Sequence, residues 1–192
     1  MAIKQGKVRI IGGQWRSRII TFPDLPDLRP TPDRIRETVF NWLGQDLSGL
    51  NCLDLFAGSG ALGFEAASRG AESVVMIDAD AKIHRALQEN KQKLQAAQVE
   101  LLLMNALNFL ASDARKFDVI FLDPPYRLEC LPELLPKLPA HMKFDGLVYA
   151  ESRGAWIPDQ QWIVKRSAKA GAVHYQLLEL KSNEESDLAG YI

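Results

Sequence analysis

The chain has few cysteines and no long apolar run. Only Cys52 and Cys130 occur among its 192 residues, and Cys52 falls within a strand-like run, which argues against a disulfide framework. No apolar stretch approaches the roughly 18 to 20 residues that a membrane span needs. The first residues also lack the apolar core of a signal peptide. These absences predict a cytoplasmic protein without a membrane partner.

Histidine is also scarce. His84, His141 and His174 are scattered without the spacing of metal ligands, so the sequence predicts no metal site. Apolar residues make up 47% and charged residues 24%, which is ordinary for a globular protein. The length suits one domain with a modest appendage, and we expect a monomer.

Positive charge is concentrated at one end of the chain. Residues 1–36 contain eight Lys or Arg residues against three Asp residues, a net charge of +5, which leaves −6 for the other 156 residues. A basic arm on an acidic body predicts a polyanionic partner. From charge alone, a solvated basic face is an equally good interpretation.

Residues 1–44 are predicted to form a small hairpin and a helix. Gly12-Gly13 predicts the tight turn of a hairpin over residues 8–20. Thr31 at the N-cap, followed by Pro32 at the first helical position, predicts a helix that ends at Gly44.

From residue 51 the pattern alternates between strands and helices. Strand-like runs cover 52–56, 73–78, 99–104, 119–123 and 147–151, and helix-like segments cover 61–69, 81–96, 106–112 and 131–138. This alternation predicts an α/β domain over residues 45–181 with a mostly parallel sheet. Two long runs around Gly171, 162–169 and 172–181, predict an antiparallel hairpin at the sheet edge, and residues 182–192 are expected to be a disordered tail.

A glycine-rich loop follows the first of these strands. Gly58 to Gly63 matches G-x-G-x-x-G, which by itself also fits a nicotinamide-binding site. The carboxylate of Asp54 beside the loop would repel a pyrophosphate but suits a cationic amino-acid group, and Asp78 can accept hydrogen bonds from a ribose. The structural alternative is a glycine turn whose loop Asp54 caps. The candidate cofactor residues are Asp54, Phe56, Ala57, Gly58, Ser59, Gly60, Asp78, Ala79, Asn105 and Ala106.

A second motif, Asp123-Pro124-Pro125-Tyr126, ends the apolar run over residues 119–122. The Asp123 carboxylate and the carbonyls of Pro124 and Pro125 can accept hydrogen bonds from a planar amino group, and the prolines stiffen the backbone that carries them. Tyr126 offers a ring on which a base can stack. The structural alternative is a strand that stops at a proline-rich turn.

Residues 54–60, Asp78 and 123–126 resemble the class I S-adenosylmethionine methyltransferases that act on amino nitrogens. Residues 9–16 and 28–43 narrow the resemblance to the RsmD family, which methylates N2 of a guanine in bacterial small-subunit ribosomal RNA. The resemblance covers about residues 8–181. It implies a Rossmann-like methyltransferase sheet, S-adenosylmethionine as the cofactor and ribosomal RNA as the partner. Asp78, where relatives often carry Glu, is a departure that still suits a ribose.

The resemblance also implies roles for the basic arm. Its arginines would contact phosphates, which position a protein on RNA without choosing a sequence. We therefore expect an assembled small-subunit particle rather than naked RNA as the substrate, with the target base flipped out of its stack. Arg29 and Arg34 could instead form ion pairs with acidic residues of the body, which is the alternative to phosphate binding for these two residues. The RNA-binding candidates are Arg9, Arg16, Arg18, Arg29, Arg34 and Arg36.

Two other functions stay open. One is methylation of adenine N6 or of a protein glutamine, because an Asp-Pro-Pro-Tyr motif can serve any planar amino group. The other is a non-catalytic RNA-binding protein, against which the intact Asp54, Gly58, Gly60, Asp78 and Asp123 argue.

Overall fold

The computed structural model describes residues 5–26, 28–125, 130–154 and 156–181. A two-stranded hairpin and a helix precede a seven-stranded sheet that is flanked by helices. The elements are β1 (Gln5–Arg9), β2 (Ile19–Pro23), α1 (Asp33–Trp42), β3 (Asn51–Asp54), α2 (Ala61–Ser68), β4 (Ser73–Asp78), α3 (Ala81–Leu94), β5 (Val99–Leu103), α4 (Ala106–Ser112), β6 (Phe117–Leu122), α5 (Leu131–Leu134), a 3₁₀ helix (Leu135–His141), β7 (Met142–Arg153), β8 (Trp162–Ala170) and β9 (Val173–Leu180).

The sheet is mostly parallel, as the sequence predicts. Its strand order is β5-β4-β3-β6-β7-β9-β8, and the first five of these strands pair in parallel. The chain moves outward from β3 to β5 and then crosses back to place β6 on the other side of β3. Such a reversal creates a crevice beyond the carboxyl ends of the two strands, and both predicted motifs follow these strands.

The last two strands form the antiparallel edge hairpin that the sequence predicts. β9 pairs antiparallel with β7, and β8 pairs antiparallel with β9 at the edge of the sheet. The predicted tail, residues 182–192, lies outside the described residues.

Apolar residues on both faces explain why the central strands are buried. Neighbouring residues of β3 pack into different layers: Cys52 joins a core with Phe64 of α2, and Leu53 joins a core with Phe109 of α4. The first of these cores continues into the N-terminal hairpin through Ile20. The appendage therefore shares its packing with the sheet. Among the described residues, no helix is long and apolar enough to cross a membrane.

The tight turn predicted at Gly12-Gly13 is wrong. β1 and β2 pair from Gln5 to Arg9, and residues 10–18 form a longer connection between them. Gly13 has a φ of +72°, and a Cβ built there would lie 1.8 Å from the carbonyl oxygen of Ser68 at the end of α2. Glycine is needed here because the connection presses against the backbone of another element, not because the hairpin turns there.

Two helix predictions are also corrected. Pro32, not Thr31, is the N-cap of α1, and no side chain caps this helix. The helix predicted over residues 131–138 is one short α-helical turn followed by a 3₁₀ helix. Pro136 and Pro139 lack the N–H groups that an α-helix would need there. The predicted end of α1 is confirmed, since Gly44 adopts a left-handed φ of +92° just beyond the helix.

Candidate active site at the carboxyl ends of the parallel strands

Asp78 holds the glycine-rich loop at the end of β4. Its Oδ2 accepts a hydrogen bond from Gly58 N at 3.0 Å, and its Oδ1 accepts one from Asp80 N at 2.9 Å. Burial raises the pKa of Asp78 above its ordinary value, and the backbone N–H groups of Asp80, Gly58 and Ala79 oppose the shift. A carboxylate offers about four lone pairs in all, so Asp78 can fix the loop and still accept a hydrogen bond from a ligand.

Asp54 combines a structural contact with an unused oxygen. Its Oδ2 accepts a hydrogen bond from Gly63 N at 3.0 Å in the first turn of α2, so the capping interpretation is confirmed for this oxygen. Its Oδ1 is buried and has no hydrogen-bond partner among the described residues. Burial raises the pKa of Asp54 to about 7, against the opposing effects of the Gly63 and Phe56 N–H groups. A buried acceptor without a partner is costly, and a cationic ligand group would satisfy it.

The other predicted cofactor residues lie around the same strand ends. Gly60 has a φ of +81°, and a Cβ there would lie 2.6 Å from the Phe64 ring, so the loop requires glycine. Asn105 follows β5 and caps α4, with its Oδ1 accepting from Leu107 N at 2.8 Å. Exposure varies along the set: Ala79 is exposed, Phe56 is half-buried, and Ala57, Ser59 and Ala106 are buried.

Asp123 directly follows β6 and is half-buried. Its Oδ2 accepts a hydrogen bond from the Thr31 hydroxyl at 3.2 Å. Burial, together with the negative charges of Glu151 and Asp54, raises the pKa of Asp123 well above its ordinary value. The site thus holds a carboxyl group that is paired with only one described donor.

The strand register explains why Asp54 and Asp123 are neighbours. Asp54 pairs with Phe121 across β3 and β6, and Asp123 lies two residues further, about 6.6 Å along the strand direction. Pro124 is buried and Pro125 is half-buried, while Tyr126 lies outside the described residues, so its stacking role stays a prediction.

Sequence reasoning missed two polar residues near Asp123. Thr31 was assigned to a helix cap, and its hydroxyl instead binds Asp123. Glu151 ends the predicted strand over residues 147–151 and is buried on β7, where its Oε2 accepts a hydrogen bond from the Tyr149 hydroxyl at 2.7 Å. Its position at a strand end was a usable signal, because parallel strands deliver their carboxyl ends to one edge.

The prediction that Arg36 contacts RNA phosphates is wrong. Its side chain is fully buried and donates to Glu65 Oε2 at 3.2 Å, to Asp33 Oδ1 at 2.6 Å and to the backbone carbonyls of Thr31 and Arg9. Arg36 alternates with exposed charges along α1, and the sequence alone did not show that its face of the helix turns toward α2. The guanidinium joins the N-terminal segment to helix α2.

The other predicted RNA-binding arginines lie on the surface. Arg9 pairs with Asp33 at 3.2 Å but keeps 58% of its side chain exposed. Arg29 and Arg34 are exposed and form no ion pair within the part of the chain that the structure describes, which gives no support to their pairing with the body. Arg16 and Arg18 are exposed in the connection between β1 and β2. Phosphate binding by these five stays a prediction.

A wide groove lies at the opposite edge of the sheet. It has a volume of about 1290 Å³ and is lined by Glu72, Lys91, Gln98 and other residues near the amino ends of the strands. None of the predicted site residues lines it. The unpaired buried carboxylate oxygen of Asp54 and the glycine-rich loop favour the carboxyl edge of the sheet as the functional one.

Comparisons with known proteins agree with this assignment. Residues 8–179 match the family model described as Conserved hypothetical protein 95. Ribosomal RNA small subunit methyltransferase D of Escherichia coli (strain K12) is 41% identical over 187 residues, which cover 95% of this chain and 94% of the relative. The protein of that name from Haemophilus influenzae is 37% identical, covering 91% of this chain and 95% of the relative.

Solved structures show the same likeness. The structure of a putative methyltransferase, yhhF, from Escherichia coli superposes with a TM-score of 0.82 at 39% identity, covering 93% of this chain and all of that one (100%). SMU.776, a putative methyltransferase complexed with SAH, has a TM-score of 0.68 at 14% identity, covering 84% of this chain and 54% of that one. At that identity the second likeness concerns the fold alone.

Proposed function

The chain belongs to the family described as Conserved hypothetical protein 95, the RsmD methyltransferases, and from that premise we propose that it methylates N2 of a guanine in small-subunit ribosomal RNA. S-adenosylmethionine is the cofactor. The observation that carries the proposal is the meeting of Asp54 and Asp123 at the switch point between β3 and β6. One carboxylate faces the cofactor loop, and the other begins the motif for a planar amino group.

The residues at the strand ends fit this cofactor. The unpaired Oδ1 of Asp54 suits the ammonium group of the methionine moiety. Asp78 retains lone pairs for the ribose hydroxyls, and Ala79, Asn105 and Ala106 lie beyond β4 and β5, where an adenine would be bracketed. When bound, S-adenosylmethionine supplies an electrophilic methyl group on a sulfonium.

Asp123 would make the target nitrogen a nucleophile. The lone pair of an exocyclic amino group conjugates with the ring, which leaves the nitrogen weakly nucleophilic. Acceptors at Asp123 and at the Pro124 or Pro125 carbonyl hold its N–H groups and direct the lone pair out of the ring plane. The Thr31 hydroxyl, 3.2 Å from Asp123 Oδ2, orients the carboxylate. Positioning of this kind supplies much of the rate in a displacement.

The carboxylate also stabilises the product of the transfer. Bond formation makes the nitrogen cationic, and an anion close to it lowers the energy of the transition state. The proton leaves after the methyl group has been transferred. The raised pKa of Asp123 makes this carboxylate a better proton acceptor than an exposed aspartate.

Surface arginines on the N-terminal segment support an RNA substrate. Arg9, Arg16 and Arg18 lie on or beside the hairpin, whose strand β2 packs against α3, and Arg29 and Arg34 flank Thr31 along the chain. This arrangement brings a basic surface next to the residue that binds Asp123. Such contacts bind RNA with little sequence selection, so recognition of one guanine would depend on shape, which an assembled particle supplies.

The test offers the protein labelled cofactor with protein-free small-subunit RNA and with small subunits from cells that lack the modification. We expect N2-methylguanine in the digested RNA and faster transfer to the particle. Label in N6-methyladenine would show that the target is adenine N6 instead of guanine N2. Label in protein glutamine would show that the substrate is a protein instead of RNA. Cofactor binding without turnover on any substrate would support a non-catalytic RNA-binding protein. Efficient transfer to naked RNA alone would contradict the particle preference.

A further inference from the structure

A second, smaller pocket lies away from the strand ends. It has a volume of about 440 Å³ and is enclosed by the β1–β2 connection, one face of α1 and the end of α2. Its polar lining comes from Gly13, Arg16, Glu37, Asn41, Gln45 and Arg69. Only Arg16 of this set belongs to the predicted RNA-binding residues.

Arg69 is held rigidly at the base of this pocket. Its Nε donates to Glu65 Oε1 at 2.9 Å, and its guanidinium lies 4.8 Å from the centre of the Phe40 ring. Its Nη1 makes one long contact, 3.5 Å, to the Gln45 carbonyl. Among the described residues Nη2 has no hydrogen-bond partner, although only 9% of the side chain is exposed. An immobilised guanidinium with unused N–H groups is a preorganised anion ligand.

The charge of Arg69 is only partly offset by its partner. Glu65 also binds Arg36, and Asp33 pairs with both Arg36 and Arg9, so three guanidinium groups share two carboxylates. Arg16 adds an exposed positive charge, and Glu37 adds a negative one at the rim. The lining therefore carries two cations against one exposed anion.

Neutral donors complete the lining. Gly13 and Asn41 both line the pocket, and neither the Gly13 N–H nor the Asn41 side-chain amide has a hydrogen-bond partner within the described ranges. The residues of this lining thus carry guanidinium, amide and backbone N–H donors, which are the groups that bind the oxygens of a singly charged phosphodiester.

Helix α1 links this pocket to the site of methyl transfer. Thr31, just before α1, binds Asp123, and Asn41 near the end of α1 lines the pocket. At about 1.5 Å per residue, ten residues span about 15 Å. An RNA strand can cover that distance with a few nucleotides along the side of the molecule.

We propose that this pocket binds a backbone phosphodiester of the substrate RNA, a few nucleotides from the flipped base. The inference rests on the proposed function for the identity of the RNA. It adds Arg69, Asn41 and the Gly13 N–H to the RNA-binding surface. It also assigns Arg16 to the phosphodiester in the pocket, whereas Arg18 lies outside the pocket and contributes only its charge.

The experiment compares two exposed arginines from the same connection. Arg16→Gln and Arg18→Gln each remove one charge, but only Arg16 lines the pocket. Binding is measured without cofactor, on protein-free small-subunit RNA and on small subunits, across a range of salt concentrations. We expect Arg16→Gln to lose about ten-fold in RNA affinity. The slope of the logarithm of the binding constant against the logarithm of the salt concentration should become shallower by about 0.7 to 0.9, the value for one phosphate contact. Arg18→Gln should lose less than about three-fold. Equal losses in the two variants would overturn the proposal.

A second pair of variants adds a negative charge instead. Asn41→Asp brings a carboxylate into the pocket, while Asn108→Asp makes the same change at an exposed position of α4. We expect the first to weaken RNA binding about ten-fold and the second to leave it unchanged, with both melting temperatures near that of the wild type. Unchanged binding in a folded Asn41→Asp variant would exclude the pocket.

Two further readouts separate the proposed phosphodiester pocket from a site for a free anion and from the proposed methyl transfer. Inorganic phosphate should bind wild type only weakly, and tight binding that Arg16→Gln abolishes would assign the pocket to a free anion instead of RNA. Methyl transfer by the wild type tests the proposed function, whereas the contrast between variants tests the pocket. RNA methylation with no difference between Arg16→Gln and Arg18→Gln would therefore overturn only the pocket.

Discussion

Glu65 and Asp123 are two carboxylates in contact with the same N-terminal segment, and their surroundings are opposite. Glu65 is fully buried, and its oxygens accept from Arg36, Arg69 and two backbone N–H groups, those of Ile11 and Gly12. Asp123 accepts from Thr31 alone among the described donors, and its charged neighbours Glu151 and Asp54 are negative.

The difference separates a carboxylate that stabilises the fold from one that is available for chemistry. A buried charge surrounded by donors holds its neighbours in place, because removing it leaves several polar groups unsatisfied. A carboxylate with spare acceptor capacity beside other negative charges is held at a cost in stability. Groups of the second kind cluster at functional sites.

The strongest challenge to this contrast is Asp123→Ala. We expect methyl transfer to fall by about 10³-fold or more, because the group that holds the amino nitrogen and stabilises its charge is lost. Cofactor affinity should stay within a few-fold. Asp123→Asn keeps the shape without the charge and should retain partial activity. Single-turnover rates and calorimetry measure both, and equal turnover by wild type and Asp123→Ala would remove Asp123 from the mechanism.

The converse variant is Glu65→Gln. We expect a loss of about 3 to 5 kcal/mol in the free energy of unfolding, because Arg36 and Arg69 would remain buried without their shared anion. Glu89→Gln is the matched control, since Glu89 pairs with Arg85 on the exposed face of α3 and should matter by less than about 1 kcal/mol. Urea denaturation measures both. Similar stabilities for the two variants would contradict a structural role for Glu65.

Asp54 is intermediate between Glu65 and Asp123, since one of its oxygens is hydrogen-bonded and the other is not. Its effect should appear in the pH dependence of the free energy of unfolding. Its pKa in the folded protein, about 7, is raised above the unfolded value. The neutral form is favoured by folding, so its contribution to stability is present below about pH 4 and is lost as the pH rises through about 7. Asp54→Asn should remove that decline, which amounts to about 4 kcal/mol at most. Parallel stability profiles for both proteins in the absence of cofactor would refute this.

Asp78 tests whether a carboxylate that already holds a loop also binds a ligand. Asp78→Ala should weaken cofactor binding by about one to two decades, which corresponds to about 1.5 to 3 kcal/mol for two lost hydrogen bonds. Loss of the Gly58 contact would add to this effect. Calorimetry on the folded variant gives the affinity, and an unchanged value would exclude the ribose role.

The sequence predicted the parallel sheet, the edge hairpin and the positions of both motifs at strand ends. These features depend on local patterns: apolar runs, glycine spacing and alternation with helices. It failed where a side chain serves a partner distant in sequence. Arg36 binds Glu65 and Thr31 binds Asp123, and no local pattern distinguishes such residues from an exposed arginine or a helix cap.

The smallest expected effect concerns Thr31, the one described donor to Asp123. Thr31→Val keeps the shape of this buried side chain and removes the hydroxyl, and Thr31→Ser keeps the hydroxyl. A typical intramolecular hydrogen bond contributes about 1 kcal/mol, so we expect Thr31→Val to lower the single-turnover rate by about five-fold while cofactor affinity stays unchanged. Without this donor the pKa of Asp123 should rise further, and the pH–rate profile of Thr31→Val should move to higher pH. Thr31→Ser should restore the wild-type profile. If Thr31→Val loses stability but keeps the wild-type profile, the hydroxyl serves packing alone, and Asp123 is oriented by the prolines that follow it.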